Sequence, residues 1–154
     1  MSIPGGNPER TDLLNRAQKG WLTIVLRSTE KVMALVRRLT SSQESGRLYE
    51  VINDITREEA RQLRALAQQV DQTVAALDER FAFQPERQRV SQLLRAELSL
   101  LWTALEDSRL PKLGRFGEID PRLHDALEAE LERLIQLVLM MESIADRAAN
   151  RSVS

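Results

Sequence analysis

The sequence predicts an all-α protein, an up-down-up-down four-helix bundle with a short extra helix between helices 1 and 2. Three observations predict it. Apolar residues recur at helical spacing through four long segments, the pattern of an α-helix with one buried face. Clusters of Pro, Gly, Asn and Ser separate those segments and interrupt helix there. The 42% hydrophobic and 29% charged fractions, with six Gly and five Pro, suit a folded helical chain.

Residues 1 to 7 read as a disordered lead, because Pro and paired Gly sustain neither helix nor strand. Asn7-Pro8 is a cap followed by the residue that suits the first helical position. Helix 1 is expected from about Pro8 to about Leu39, with Leu14, Trp21, Val25, Val32, Leu35 and Leu39 toward the core and Leu22, Leu26 and Met33 widening that face. Ser41 with Glu44, and Thr56 with Glu59, have capping-box spacing. The stretch from Gly46 to Asp54, apolar at Leu48, Val51 and Ile52, supplies the short extra helix.

Helix 2, from Thr56 to about Phe83, carries a narrow stripe through Leu63, Leu66, Val70, Val74, Leu77 and Phe81. Gln84-Pro85 turns the chain into helix 3, which runs to about Leu110 with Leu93, Leu94, Leu98, Leu101 and Leu105 inward and Leu100 and Trp102 on either flank. The segment 110 to 120 is the longest irregular one. Asp120-Pro121 starts helix 4, expected to reach Ala149, and its second half is apolar nearly all round because Leu139 and Met140 lie off the main stripe. Residues 8 to 149 form one domain in this reading, and 150 to 154 a frayed tail. Helices 1 and 4 are paired on charge: residues 8 to 39 hold seven basic against three acidic groups, +4, and residues 120 to 149 hold seven acidic against three Arg, −4.

The composition excludes several classes of function. A net charge of −1 offers no basic face for nucleic acid. The absence of cysteine removes disulfides, thiol chemistry and Cys-ligated zinc. No apolar run approaches the length of a bilayer span, the first residues lack the basic and apolar segments of a signal peptide, and the expected location is the cytoplasm. Helix 1, with Trp21 and its basic residues, is the one segment suited to an anionic membrane surface, but its acids and its length fit a bundle better.

Two glutamates break the apolar faces. Glu97 lies among Leu93, Leu94, Leu98 and Leu101, and Glu130 among Leu127, Leu131, Leu134 and Leu137. Glu97 is 12 residues before Arg109 and Glu130 is 9 after Pro121, which in an antiparallel pair places them within roughly one turn in depth at about 1.5 Å per residue. Ser28, Gln69 and Thr73 reach a similar level, so a core polar layer is expected from these five residues. Its first reading is a hydrogen-bonded layer that sets helix register. Its second is glutamates that reach water or a partner chain. Its third is a divalent-cation or acid/base site, in which Glu97 and Glu130 are the candidate metal ligands. A di-iron site of the Glu-x-x-His type is disfavoured, since Leu100 and Arg133 stand where histidines would and His124 is the one histidine.

Glu59 is explained by its capping box. Lys112 and Arg115 beside two glycines and Phe116 match no phosphate-binding motif and read as a plain connection with an anchoring Phe. Nothing calls for a cofactor, and no nucleophile setting points to an enzyme. The leading expectation is a non-enzymatic, self-associating interaction protein, an adaptor, regulator or assembly subunit, with a homodimer favoured. Leu22, Leu26, Met33, Trp102, Leu139 and Met140, the apolar surface beyond one seam per helix, are the expected interface. The alternative is a carboxylate-based metal or small-molecule site on Glu97 and Glu130.

Overall fold

Asn15 sets the start of the first helix by reciprocal capping: its Oδ1 accepts from the Gln18 backbone N–H at 2.8 Å, and Gln18 Oε1 accepts from the Asn15 N–H at 3.0 Å. The computed structural model describes residues 13 to 151. The expected lead, the Asn7-Pro8 start and the last three residues lie outside the described residues. The helices are α1 (Arg16–Ser41), α2 (Arg57–Phe81), α3 (Val90–Glu106), the single turn α4 (Leu110–Leu113) and α5 (Leu123–Arg151), with a 3₁₀ turn at Gly114–Phe116 and no strand among the described residues. None of these helices is long and apolar enough to cross a membrane.

The chain divides into two compact units, Met1–Pro85 and Glu86–Ser154. The first is built on an α1–α2 hairpin. Thr56 and Glu59 form the expected capping box, with bonds of 3.1 and 3.0 Å, and α2 ends at Ala82, whose φ of 53° is left-handed. The Ala82 N–H donates to Asp78 O at 2.7 Å and the Phe83 N–H to Asp78 Oδ1 at 2.9 Å, so one residue closes the helix twice over. Ala60, Ala67 and Val74 of α2 are buried. Two of the three are alanines, which permits close approach of the helices. An Arg37–Asp71 ion pair and an Arg27 Nη2 bond to Gln84 O at 3.0 Å tie the pair along its length.

The extra helix between helices 1 and 2 is not formed. Residues 43 to 56 are irregular, and local side chains take the backbone groups a helix would need: the Val51 N–H donates to Ser45 Oγ at 3.0 Å and the Ile55 N–H to Asn53 Oδ1 at 3.1 Å. The Ser41–Glu44 box is absent for the same reason, since no helix follows it. The extra turn occurs later, at α4, inside the segment expected to be irregular.

The second unit is built on α3 packed against α5. Leu98 of α3 and Leu131, Ile135, Val138, Ala145 and Ala149 of α5 are buried, and among the described residues Ile135 is the one large side chain at 1% exposure. Ion pairs fix the register. Arg95 lies 3.2 Å from Asp146. Arg109 bonds Glu106 at 2.8 Å and Glu132 at 2.5 Å, and the Leu110 N–H donates to Glu128 Oε1 at 3.3 Å. Glu128, Glu132 and Asp146 of the last helix are engaged within the second unit, by α3 and the turn after it. Helix α5 starts at Leu123, later than the expected Asp120-Pro121 start: Asp120 closes a turn ahead of it, accepting from the Arg122 N–H at 2.9 Å through Oδ1 and from the Leu123 N–H at 2.9 Å through its carbonyl.

Candidate interaction surface

Each hairpin has a second apolar seam, one residue out of step with the first. In α5 the buried Leu131, Ile135, Val138 and Ala145 are each preceded by an exposed residue: Glu130, Leu134, Leu137 and Ile144. In α3 the pairs are Glu97 before Leu98 and Leu101 before Trp102. In α1, exposed Trp21, Val25, Val32 and Leu35 precede half-buried Leu22, Leu26, Met33 and Val36. In α2, exposed Leu66 and Thr73 precede buried Ala67 and Val74. Neighbouring residues of a helix point about 100° apart, because a turn takes about 3.6 residues. The shift has the same rotational sense in every helix, and the partners in each hairpin run antiparallel. Both outer seams of a hairpin therefore turn to the same side; the face is mostly apolar on α1, α3 and α5, interrupted by Glu97 and Glu130, and mixed on α2, where Glu59, Leu66 and Thr73 stand.

The outer face is made of residues the sequence pattern assigned to the core. Trp21 is 66% exposed, and Val32, Leu39, Leu93, Leu101 and Met141 are exposed with it. Of the six expected interface residues, Leu22, Leu26, Met33, Trp102 and Leu139 are half-buried, and Met140 alone lies in the open, at 63% exposure. Leu26 lines a trough with Leu66, Val70, Val74 and Leu77 of α2. Trp102 is turned far enough inward that its Nε1 has neither solvent nor a hydrogen-bond partner. The two seams of α1 were exchanged because both are apolar. Charge decides between them: Arg27 and Arg37 border the Leu22–Leu26–Met33 seam and bond to Gln84 O and Asp71 from there. The doublet pattern is the signal that marks both seams in the sequence.

The five polar-layer residues are each exposed rather than buried. Ser28, Gln69 and Thr73 are exposed in the first unit, where Thr73 Oγ1 donates to Gln69 O at 2.9 Å. Glu97 and Glu130 are exposed in the second, and no polar or charged residue is buried among the described residues. The pairs Arg95–Asp146 and Arg109–Glu132 set Glu97 level with residue 144. Glu130 lies fourteen positions away along α5, or about 20 Å at 1.5 Å per residue. Arg109 and Pro121, which the antiparallel spacing takes as level, are not level. Arg109 instead reaches Glu128 and Glu132, so the first turns of α5 lie beyond the end of α3. No group of three or more His, Asp or Glu among the described residues is placed to hold a metal ion.

The remaining candidates have local partners. Lys112 Nζ donates to Asp107 Oδ1 at 2.7 Å and holds that carboxyl below the usual carboxylate range. The Arg115 guanidinium lies 4.8 Å from the centre of the Phe116 ring, which is exposed and anchors nothing. His124 is exposed, its Nδ1 3.5 Å from Asp125. The chemistry of this surface is apolar area with a few charges set into it. No family model, no curated protein and no solved structure matches the chain.

Proposed function

We propose that this protein is a non-enzymatic, self-associating helical interaction protein that works as an adaptor, regulator or assembly subunit, with the dimer as its favoured form. The observation that carries the reading is the second apolar seam. A helix that buries one stripe against its hairpin partner is satisfied by a single seam, and each hairpin here adds a face that no residue of that hairpin covers. Exposed patches of this extent mark interaction sites. Energetics point the same way: an antiparallel helix pair is one layer, and a stable core requires a second layer against it. Among the described residues Ile135 is the one large side chain below 2% exposure, which is little core for helices of 25 to 29 residues.

The up-down-up-down four-helix bundle belongs to this proposal. Two antiparallel pairs laid face to face make such a bundle, and each hairpin supplies one pair with an open apolar face. Sedimentation velocity across a wide range of concentration tests the reading. A dimer or higher oligomer is expected, dissociating on dilution with loss of helical signal. A monomer that stays fully helical and binds no apolar dye at any concentration refutes it.

A further inference from the structure

Helix α1 starts at Arg16 rather than at Pro8, and this changes its charge. Of the three acids counted toward it, Glu9 and Asp12 precede it in the chain and lie outside the described residues, and Glu30 alone remains within it. Six basic residues stand against that one acid, a balance of +5. Trp21, Ile24, Val25, Val32, Leu35 and Leu39 form an exposed stripe along the same helix, with Trp21 the most open at 66%. Glu30 is nine residues from Trp21 and nine from Leu39. At about 3.6 residues per turn that is two and a half turns, which sets it on the opposite side of the helix. Lys31 and Arg38, both exposed, are four and three residues from Leu35, so both border the stripe, on the edge away from α2.

We propose that α1 lays this stripe on a membrane surface rich in anionic lipid, its axis in the plane of the interface, with Trp21 and the aliphatic side chains among the headgroups and Lys31 and Arg38 on lipid phosphates. Charge selects this occupant. Arg37 is paired with Asp71 and Arg27 bonds Gln84 O, but Arg16, Lys19, Lys31 and Arg38 have no ion-pair partner among the described residues. The acids of α2 do not oppose them. Glu58 is held by Arg61 at 2.5 Å, Glu59 closes the Thr56 cap, Asp71 takes Arg37, and Asp78 closes the end of the helix. Glu79 is nine residues after Val70, on the side of α2 away from the outer face. The irregular segment 43 to 56 adds Glu44, Glu50 and Asp54 against Arg47 at the Leu39 end of the stripe, where Glu44 shares a depression with Arg38 without pairing to it.

The contrast with the second unit sharpens the assignment. The outer stripes of α3 and α5 hold Glu97 and Glu130 among their apolar residues, and anionic headgroups repel a carboxylate in that position. The α1 stripe is interrupted by Ser28 alone. Its bases stand at the rim, where long basic side chains run their apolar stems along the surface and reach phosphates with their ends. Tryptophan favours the headgroup level, because its ring is apolar with one polar edge. From Trp21 to Leu39 the stripe spans about 27 Å at 1.5 Å per residue, and a lipid surface covers that length without a matching shape. The inference does not rest on the self-association reading, for which the outer face of the second unit remains.

Vesicle co-sedimentation of the full chain tests this, with phosphatidylcholine alone and with about one third phosphatidylserine, at low salt and at about 0.5 M salt. Binding to the anionic vesicles is expected, lost at high salt and absent from phosphatidylcholine alone. Lys31→Gln with Arg38→Gln removes two charges at exposed positions, so wild-type helical content is expected together with binding weaker by about tenfold or more. Trp21→Ala is expected to weaken binding as well. Arg133→Gln with Arg147→Gln changes the net charge equally in the second unit and is expected to bind as the wild type does. No binding, equal binding to both kinds of vesicle, or equal weakening by both charge pairs overturns the inference. So does an α1 charge pair that binds like the wild type. Sedimentation velocity without lipid keeps the two readings apart. α1 variants that lose an oligomer while the wild type binds no vesicle assign the stripe to a second copy and overturn lipid binding. A monomeric wild type that binds anionic vesicles supports this inference where self-association has failed.

Discussion

Leu134 and Ile135 are adjacent in the chain and opposite in environment: Ile135 is 1% exposed against α3, and Leu134 is 50% exposed on the outer face. That one-residue offset recurs along all four long helices and separates fold stability from association. Ile135→Ala opens a cavity in the only well-packed seam of its hairpin and is expected to cost about 2–5 kcal/mol at every protein concentration. Leu134→Ala removes a side chain the hairpin does not use, and its effect on the hairpin itself should stay within about 0.5 kcal/mol. Its loss should appear only where the protein associates, because assembly adds to apparent stability by mass action. Thermal melts of both variants over a dilution series check this: the Leu134→Ala deficit vanishes on dilution and the Ile135→Ala deficit persists.

The Arg109 fork predicts a particular response to acid. Its bond to Glu132, aided by one from Gln136, holds the Glu132 carboxyl below the usual carboxylate range, and Arg109 itself is pushed up by Glu106 and then by Glu132. A carboxyl with a depressed folded-state pKa binds fewer protons folded than unfolded. Its contribution to stability is present above the unfolded value of about 4.3 and is lost as pH falls through the folded value. Arg109→Met removes the cause, so the fall in Tm between about pH 6 and about pH 3 is expected to be smaller in the variant than in the wild type. Asp120, lowered by its own bonds with Arg122, is untouched by the change and leaves a residual acid sensitivity in both proteins. An unchanged acid slope in Arg109→Met would remove the fork from the account of stability.

Ala82 ends α2 in a conformation that suits glycine. A φ of 53° places its Cβ close to the following carbonyl, a strain of about 1–2 kcal/mol for an L-residue. Glycine relieves that strain while losing roughly 0.5–1 kcal/mol through extra freedom in the unfolded chain. Ala82→Gly is therefore expected to stabilise the first unit by about 0.5–1 kcal/mol, seen as a higher urea midpoint with an unchanged slope. Destabilisation would mean that the Cβ makes packing contacts worth more than the strain.

The helices themselves were legible in the residues. Thr56 with Glu59 marked a real helix start, because a cap acts through bonds within three residues of itself and needs nothing from the rest of the chain; Asp120-Pro121 instead forms a turn, and α5 starts at Leu123. The same locality explains the misreading of residues 43 to 56. Ser45 and Asn53 serve the backbone from within the segment, and apolar spacing alone does not show that competition.

The amino-acid sequence by itself determined the all-helical class and the broad apolar surface of the first, third and last long helices, since both follow from spacing along one element. Only the tertiary structure decided which stripe is inner and which outer. That choice depends on pairings between elements, Arg37 with Asp71 and Arg109 with Glu132, and on the alanines that let α1 and α2 approach. The depth of Glu97 relative to Glu130 was decided in the same way. Depth depends on where two helices come into register, and the turn at Leu110–Phe116 shifts that register by several residues in a way no single-helix pattern records.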